Sequence, residues 1–143
     1  MHHVLTKIMA VLAALATLSV ATPTPAQAAV AAYFVMTDIT RENFVVQLTD
    51  PAKIQHARDL ISGTTTDKPH VFGRIITRPA PYNPHWSYQL NPDTVSFFDV
   101  AIEVCDATIP YVQDHLDEAG GAFLPGLVWC PWTSRLVREI SAP

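Results

Sequence analysis

The chain has 143 residues, of which 49% are hydrophobic, and carries a formal net charge of −4. Its nine basic residues form no cluster, so nucleic acid and anionic membrane surfaces are poor candidate partners. All three Trp and all four Tyr lie beyond residue 28, which gives that part of the chain the large apolar side chains that disordered segments lack.

The first 28 residues have the pattern of a secretory signal peptide. Lys7 provides a positive charge, Ile8 to Ala21 is an almost wholly apolar run, and a Pro-bearing segment ends in the small-x-small site Ala26-Gln27-Ala28. The apolar run is shorter than the roughly 20 residues that a spanning helix needs. We therefore predict cleavage after Ala28, secretion, and no membrane association afterwards. Removing residues 1–28 would leave a single domain of 115 residues, 29–143, with a formal charge of −5 because Lys7 is lost.

The mature chain is predicted to begin with a β-hairpin and a helix. Ala31–Thr37 is a short apolar strand candidate, and Asn43–Leu48 alternates between apolar and polar residues. Asp50 followed by Pro51 is typical of a helix N-terminus, and Gly63 is typical of the left-handed residue that ends a helix.

The middle of the chain is predicted to hold three strands and a stiff loop. The strand candidates are Val71–Thr77, Trp86–Leu90 and Val95–Cys105, and the last is apolar enough for a buried central strand. Residues 78–86 contain three prolines, each of which restricts its own φ and its predecessor. This segment is therefore predicted to be extended and stiff.

The last third of the chain is predicted to form a second helix and a final strand. The helix would start at Thr108 or Asp106 and end at Gly120, with apolar residues at spacings of three and four. Ser134–Ile140 is the last strand candidate. Two helices among five or six short strands, without regular β-α-β alternation, predict a small α+β domain with a mainly antiparallel sheet.

The chain has two cysteines, Cys105 and Cys130, and both lie in the mature part. An even pair in an exported protein indicates a disulfide, and closing a loop of about 26 residues would contribute roughly 3 kcal/mol in the chain-entropy model. Two free thiols or two metal ligands are the alternatives, but no further cysteine and no nearby histidine spacing completes a zinc set. We predict one disulfide.

No catalytic, metal-binding or cofactor-binding motif is present in the sequence. The serines lie outside any Gly-x-Ser-x-Gly elbow, and the four mature histidines are isolated from one another. We therefore predict a non-enzymatic protein without a metal or another cofactor. The alternative is a small hydrolase that uses Glu103, Asp106 or His85; a structural ion pair of Glu103 with Arg135 or Arg138 is the simpler interpretation.

The proline-rich loop carries the predicted binding site. Aromatic side chains on a stiff loop lose little entropy when they bind a partner, which favours protein recognition there. The alternative for the tryptophans is inward packing beside the disulfide. The predicted binding residues are Arg78, Tyr82, His85, Trp86 and Tyr88.

Four stretches of the mature chain resemble one known family. They are Phe44-Val45-Val46-Gln47-Leu48-Thr49-Asp50-Pro51, Pro81-Tyr82-Asn83-Pro84-His85-Trp86-Ser87-Tyr88, Ile102-Glu103-Val104-Cys105-Asp106 and Trp129-Cys130-Pro131-Trp132. The family is the N-terminal domain of a slime-mould calmodulin-binding protein, a domain that also occurs alone in secreted bacterial proteins. The resemblance implies this domain over residues 29–143, with no settled activity.

The family name implies calmodulin binding, which the residues do not support. Calmodulin targets are usually basic amphipathic helices. The first predicted helix has only Lys53 and Arg58 as basic residues, and the second is acidic. Calmodulin is therefore not predicted as a partner.

The sequence predicts a secreted binding domain whose partner is an extracellular protein. One alternative is a peptidase inhibitor that acts through loop 78–88. The others are a small extracellular hydrolase and a carbohydrate-binding module that uses Tyr82, Trp86 or Tyr88.

Overall fold

The computed structural model describes residues 21–22 and 30–143. The predicted signal peptide, residues 1–28, lies outside the described residues except for positions 21 and 22, so it stays a prediction. None of the described helices has both the length and the apolar character that crossing a bilayer requires.

The described chain alternates short strands with two α-helices and two single-turn 3-10 helices, Pro92–Thr94 and Glu103–Cys105. The elements in chain order are β1 (Ala32–Thr37), β2 (Asn43–Leu48), α1 (Pro51–Ser62), β3 (His70–Ile76), β4 (Gln89–Leu90), β5 (Ser96–Phe98), α2 (Ile109–Asp114), β6 (Ala119–Gly120), β7 (Phe123–Pro125), β8 (Val128–Trp129) and β9 (Arg135–Ile140).

Two antiparallel sheets are built around β1 and β3. β1 lies between β2 and β9, and β3 pairs with β4, β5 and β8. β6 and β7 add a short parallel pair. The α+β class, the mainly antiparallel pairing and the two helices are confirmed. The strands β6, β7 and β8 were not predicted, because two or three residues cannot display an alternating pattern.

The core lies between the two sheets and α1. One face of the β1–β2 hairpin contributes Phe34, Met36, Phe44, Val46 and Leu48, all at most 1% exposed. The helix adds Ile54 and Ala57 from its buried side.

Helix α1 has the ends that its sequence predicts. The Asp50 side chain accepts hydrogen bonds from the N–H groups of Ala52 and Lys53, and Gly63 has φ = 77°. These local devices satisfy backbone groups that the helix itself leaves free, so α1 forms where it was predicted.

The predicted strand Val95–Cys105 is wrong beyond Phe98. In the antiparallel β3–β5 pair, Phe98 lies opposite His70, the first residue of β3. Residues after Phe98 run past the end of β3 and have no strand to pair with. The apolar side chains that follow, including Val100 and Ile102, are exposed instead of buried.

Two other predicted elements are shorter than expected. The strand predicted at Trp86–Leu90 is reduced to β4, because the indole of Trp86 and the N–H of Ser87 bond to groups outside β3. Helix α2 ends at Asp114, and residues 115–119 continue as turns with hydrogen bonds between residues three apart, such as Glu118 N–H to His115 O.

Candidate functional site

The proline-rich loop 78–88 is attached to the outer edge of β2. Asn83 is 2% exposed, and its side chain accepts a hydrogen bond from Val45 N at 2.7 Å and donates one to Val45 O at 2.7 Å. The indole of Trp86 donates to Asn43 O at 2.8 Å. The amide of Asn83 thus takes the place of a neighbouring strand and covers an edge that could otherwise pair with another chain.

Gln89 holds the beginning of the same loop. Its Nε2 donates to Arg78 O at 3.2 Å and to Pro79 O at 3.1 Å, and its Oε1 accepts from the Tyr82 hydroxyl at 3.3 Å. The Tyr82 ring lies 5.2 Å from the ring of Tyr33 on β1. Partial burial raises the pKa of Tyr82, and the neighbouring Tyr33 raises it further.

Tyr88 was predicted as a binding residue, and this prediction is wrong because Tyr88 belongs to the core. Its side chain is fully buried, packs 4.9 Å from Phe44 and 5.4 Å from Trp129, and donates its hydroxyl proton to Ile109 O at 2.9 Å. Burial, and then the negative charge of Asp38, raise the pKa of Tyr88. A residue in this position cannot contact a partner.

The other four predicted binding residues differ in exposure. Arg78 and His85 are exposed, whereas Tyr82 and Trp86 are half-buried against the sheet. The loop therefore lies along β2 and offers the flat edges of its rings. Binding by these four residues stays a prediction.

The predicted disulfide is confirmed between Cys105 and Cys130, whose Cα atoms are 5.1 Å apart. Both cysteines are buried, and Cys130 N–H donates to Cys105 O at 2.7 Å. A further hydrogen bond joins the Trp129 indole to Ala107 O at 2.8 Å. The end of β8 is thereby fixed to the segment that precedes α2.

The segment between β5 and the disulfide carries exposed apolar side chains. Val100 is 85% exposed, Ile102 70% and Val104 49%, and we call these three residues the apolar tip. The tip is anchored at one end by the disulfide and at the other by Asp99, whose Oδ1 accepts from Lys68 N at 2.7 Å. The sequence analysis missed this site because it assigned the same residues to a buried strand.

A pocket of about 330 Å³ lies beside the apolar tip, and we call it the Asp106 pocket. Asp106 is two residues from Val104, so the pocket adjoins the tip. The N–H of Ile39 donates to Thr133 Oγ1 at 3.1 Å, which joins the β1–β2 turn to the opposite wall. The pocket is lined by Ile39, Asp106, Ala107, Thr108, Tyr111 and Thr133.

A larger open groove of about 690 Å³ lies where the start of β1, α1 and the end of β9 meet. Its wall includes Arg58 and Glu139, whose side chains form two hydrogen bonds at 2.7 and 2.9 Å. This pairing lowers the pKa of Glu139 and raises that of Arg58. Both charges are thus occupied by each other.

The described residues contain no group of three or more His, Cys, Asp or Glu side chains that could hold a metal ion. The ion pair found between residues 30 and 143 joins Arg58 to Glu139, so the expected pairing of Glu103 with Arg135 or Arg138 is wrong. Glu103 lies in the single turn that leads into the disulfide, away from a strand that could align it with β9.

A family model for the N-terminal domain of a slime-mould calmodulin-binding protein matches residues 30–143, which are 114 of the 143 residues. The chain belongs to this family. The resemblance identified from the sequence is thereby confirmed. No curated protein and no solved structure matches the chain.

The four stretches that carry the resemblance meet in two pairs within this domain. Residues 81–88 bond to residues 44–51 through Asn83 and Val45, and residues 102–106 bond to residues 129–132 through the disulfide. These stretches therefore identify contacts that hold the domain together, and they do not by themselves identify a binding site.

Proposed function

We propose that the protein is a secreted, non-enzymatic domain that binds another extracellular protein. The observation that carries the proposal is the apolar tip, a set of three neighbouring apolar side chains that face solvent on an anchored loop. Clustered exposed apolar residues mark interaction sites more often than isolated ones do. The disulfide is consistent with an extracellular location.

The tip suits a protein partner better than a membrane. Asp99 and Glu103, both exposed, alternate with the apolar residues of the tip, and anionic lipid surfaces repel such carboxylates. The disulfide and the Asp99 hydrogen bond restrict the loop before binding, which lowers the entropy lost on association. The tip is thus suited to enter an apolar depression on a partner.

The test compares the secreted protein with the double variant Val100→Ser, Ile102→Ser. Each protein is immobilised, exposed to the extracellular fluid in which the organism grows, and the captured proteins are quantified by mass spectrometry. Full burial of one such side chain contributes roughly 1.5–3 kcal/mol. We expect the double variant to weaken capture of a specific protein by about 2–4 kcal/mol, or roughly 30- to 1,000-fold in the dissociation constant.

The matched control is Val137→Ser, which alters a valine on β9 that is 43% exposed and lies outside the tip. We expect this variant to capture the same protein as the unaltered chain. Equal capture by the tip variant and the control, or no specific capture by any of them, would refute binding through the tip.

Peptidase inhibition through loop 78–88 gains no support from the geometry. An inhibitory loop has to protrude into a cleft, whereas Ala80 and Asn83 are buried and the loop follows β2. Carbohydrate binding loses Tyr88, which is in the core. The apolar tip is therefore the surface on which a binding role rests.

Calmodulin is not the partner that we propose. The exposed side of α1 carries Lys53 and Arg58 as its basic residues, and Arg58 is paired with Glu139. Isothermal titration of the secreted protein with calcium-loaded calmodulin is expected to show no saturable heat. Saturable binding would overturn this part of the proposal.

A further inference from the structure

The Asp106 pocket has the chemistry of a site for a cationic side chain. Asp106 is exposed, and its Oδ1 accepts a hydrogen bond from Trp132 N at 2.9 Å, which holds the carboxylate in place. No salt bridge of Asp106 is found between residues 30 and 143. Its second carboxylate oxygen is therefore free to accept from a ligand.

A second carboxylate lies behind the same pocket. Asp38 is 5% exposed, directly precedes the pocket residue Ile39, and accepts Ile109 N–H on its Oδ2 at 2.7 Å. That bond uses the first free N–H of α2, so the pocket does not offer this group to an anion. Two carboxylates and a satisfied N–H favour a positive charge at this place.

Tyr111 supplies an aromatic surface in a fixed orientation. Its ring stacks on His115 with centroids 3.9 Å apart, and His115 is held by a bond between its Nδ1 and Tyr111 O at 2.8 Å. Phe123 is 5.5 Å from Tyr111 and 5.8 Å from His115, so it lies beside this stack. The face of Tyr111 opposite His115 is therefore not covered by Phe123, and Tyr111 is 50% exposed.

From this arrangement we propose that the Asp106 pocket binds an arginine side chain of the partner protein. The guanidinium group bonds to the free oxygen of Asp106 and stacks on the Tyr111 ring, and the aliphatic stem lies on Ile39. Arginine fits better than lysine because its planar group can stack and bond to a carboxylate at the same time. The inference rests on the proposed function, since it assigns a residue type to the partner that the adjoining tip contacts.

The test uses small probes instead of the unidentified partner. The secreted protein, labelled with ¹⁵N, is titrated with N-acetyl-arginine amide, and the neutral isostere N-acetyl-citrulline amide is the matched probe. We expect saturable amide shifts at Ile39, Thr108, Tyr111 and Thr133 with the arginine probe in the millimolar range. The citrulline probe is expected to bind at least tenfold more weakly, because it lacks the charge.

The variant Asp106→Asn keeps an oxygen that can accept the Trp132 N–H and removes the charge. We expect about tenfold weaker binding of the arginine probe, the change that loss of one charge-assisted hydrogen bond produces. The matched control is Asp93→Asn, which removes an exposed carboxylate outside the pocket lining. This control is expected to bind the probe as the unaltered protein does.

The outcomes separate the pocket from the tip. Shifts that are absent, equal for the two probes or unchanged in Asp106→Asn would overturn the arginine site, whatever the capture experiment shows. The double variant Val100→Ser, Ile102→Ser leaves the pocket lining intact and is expected to bind the arginine probe normally. Normal probe binding together with failure of capture by the unaltered protein would retain the site and refute the proposed function.

Discussion

The substitution Asn83→Ala tests whether loop 78–88 is a structural cover of β2. It removes both hydrogen bonds between the Asn83 amide and the backbone of Val45, each 2.7 Å long. One hydrogen bond contributes about 0.5–1.5 kcal/mol, and an unsatisfied buried group costs about 1–3 kcal/mol. Val45 is half-buried, so water partly replaces the lost partner and the lower range applies.

These terms give an expected loss of about 2.5 kcal/mol in the free energy of unfolding. Against a total of about 5–15 kcal/mol for a domain, this loss is large. The assay is equilibrium urea unfolding of the oxidised, secreted protein, followed by tryptophan fluorescence. With an m-value of about 1.5 kcal/mol/M, the midpoint falls by about 1.7 M.

Asn43→Ala is the matched control on the same strand. Asn43 is exposed and its backbone carbonyl, which accepts the Trp86 indole, is kept in the variant. We expect a change within about 0.5 kcal/mol. If Asn83→Ala destabilises by less than about 1 kcal/mol, or no more than the control does, the amide of Asn83 does not hold the loop to β2.

Three further predictions concern stability and processing. The pKa of Tyr88 is raised in the fold, so tyrosine ionises first in the unfolded chain, and stability is present below about pH 10 and declines above it by about 1.4 kcal/mol per pH unit. Urea midpoints measured on both sides of pH 10 should show this decline and a shallower one in Tyr88→Phe; equal slopes would contradict it. Replacing Cys105 and Cys130 by Ser should cost about 3 kcal/mol of unfolding free energy, and an unchanged urea midpoint would contradict the assigned stabilisation. Mass spectrometry of secreted material should find a start near Ala29 and a mass two protons below the reduced form, whereas a retained leader would exclude cleavage there.

Elements with local chemical devices at their ends could be predicted from the sequence. Helix α1 has a capping Asp50 and a terminating Gly63, and the structure contains both. The hairpin of β1 and β2 has six residues in each strand, long enough for its pattern to be recognised. The disulfide followed from having two cysteines in a chain predicted to be exported.

The candidate site could not be predicted in the same way. An apolar run such as Val95–Cys105 has one composition whether it is paired or exposed, and pairing ended because β3 begins at His70. Asp106, Ile39 and Tyr111 come from three separate parts of the chain, and their meeting in one pocket depends on how the β1–β2 turn docks beside α2. No spacing within the sequence contains that relation.

The sequence by itself determined the α+β class, the family, the ends of α1 and the pairing of the cysteines, because each depends on neighbouring residues or on a count. Tertiary structure alone decided which apolar residues are inside. Tyr88 is in the core because it meets Phe44 and Trp129, and Val100 is in solvent because the chain there has run past the end of β3. Burial depends on contacts between distant segments, and hydrophobicity along the chain carries no information about where such a partner ends.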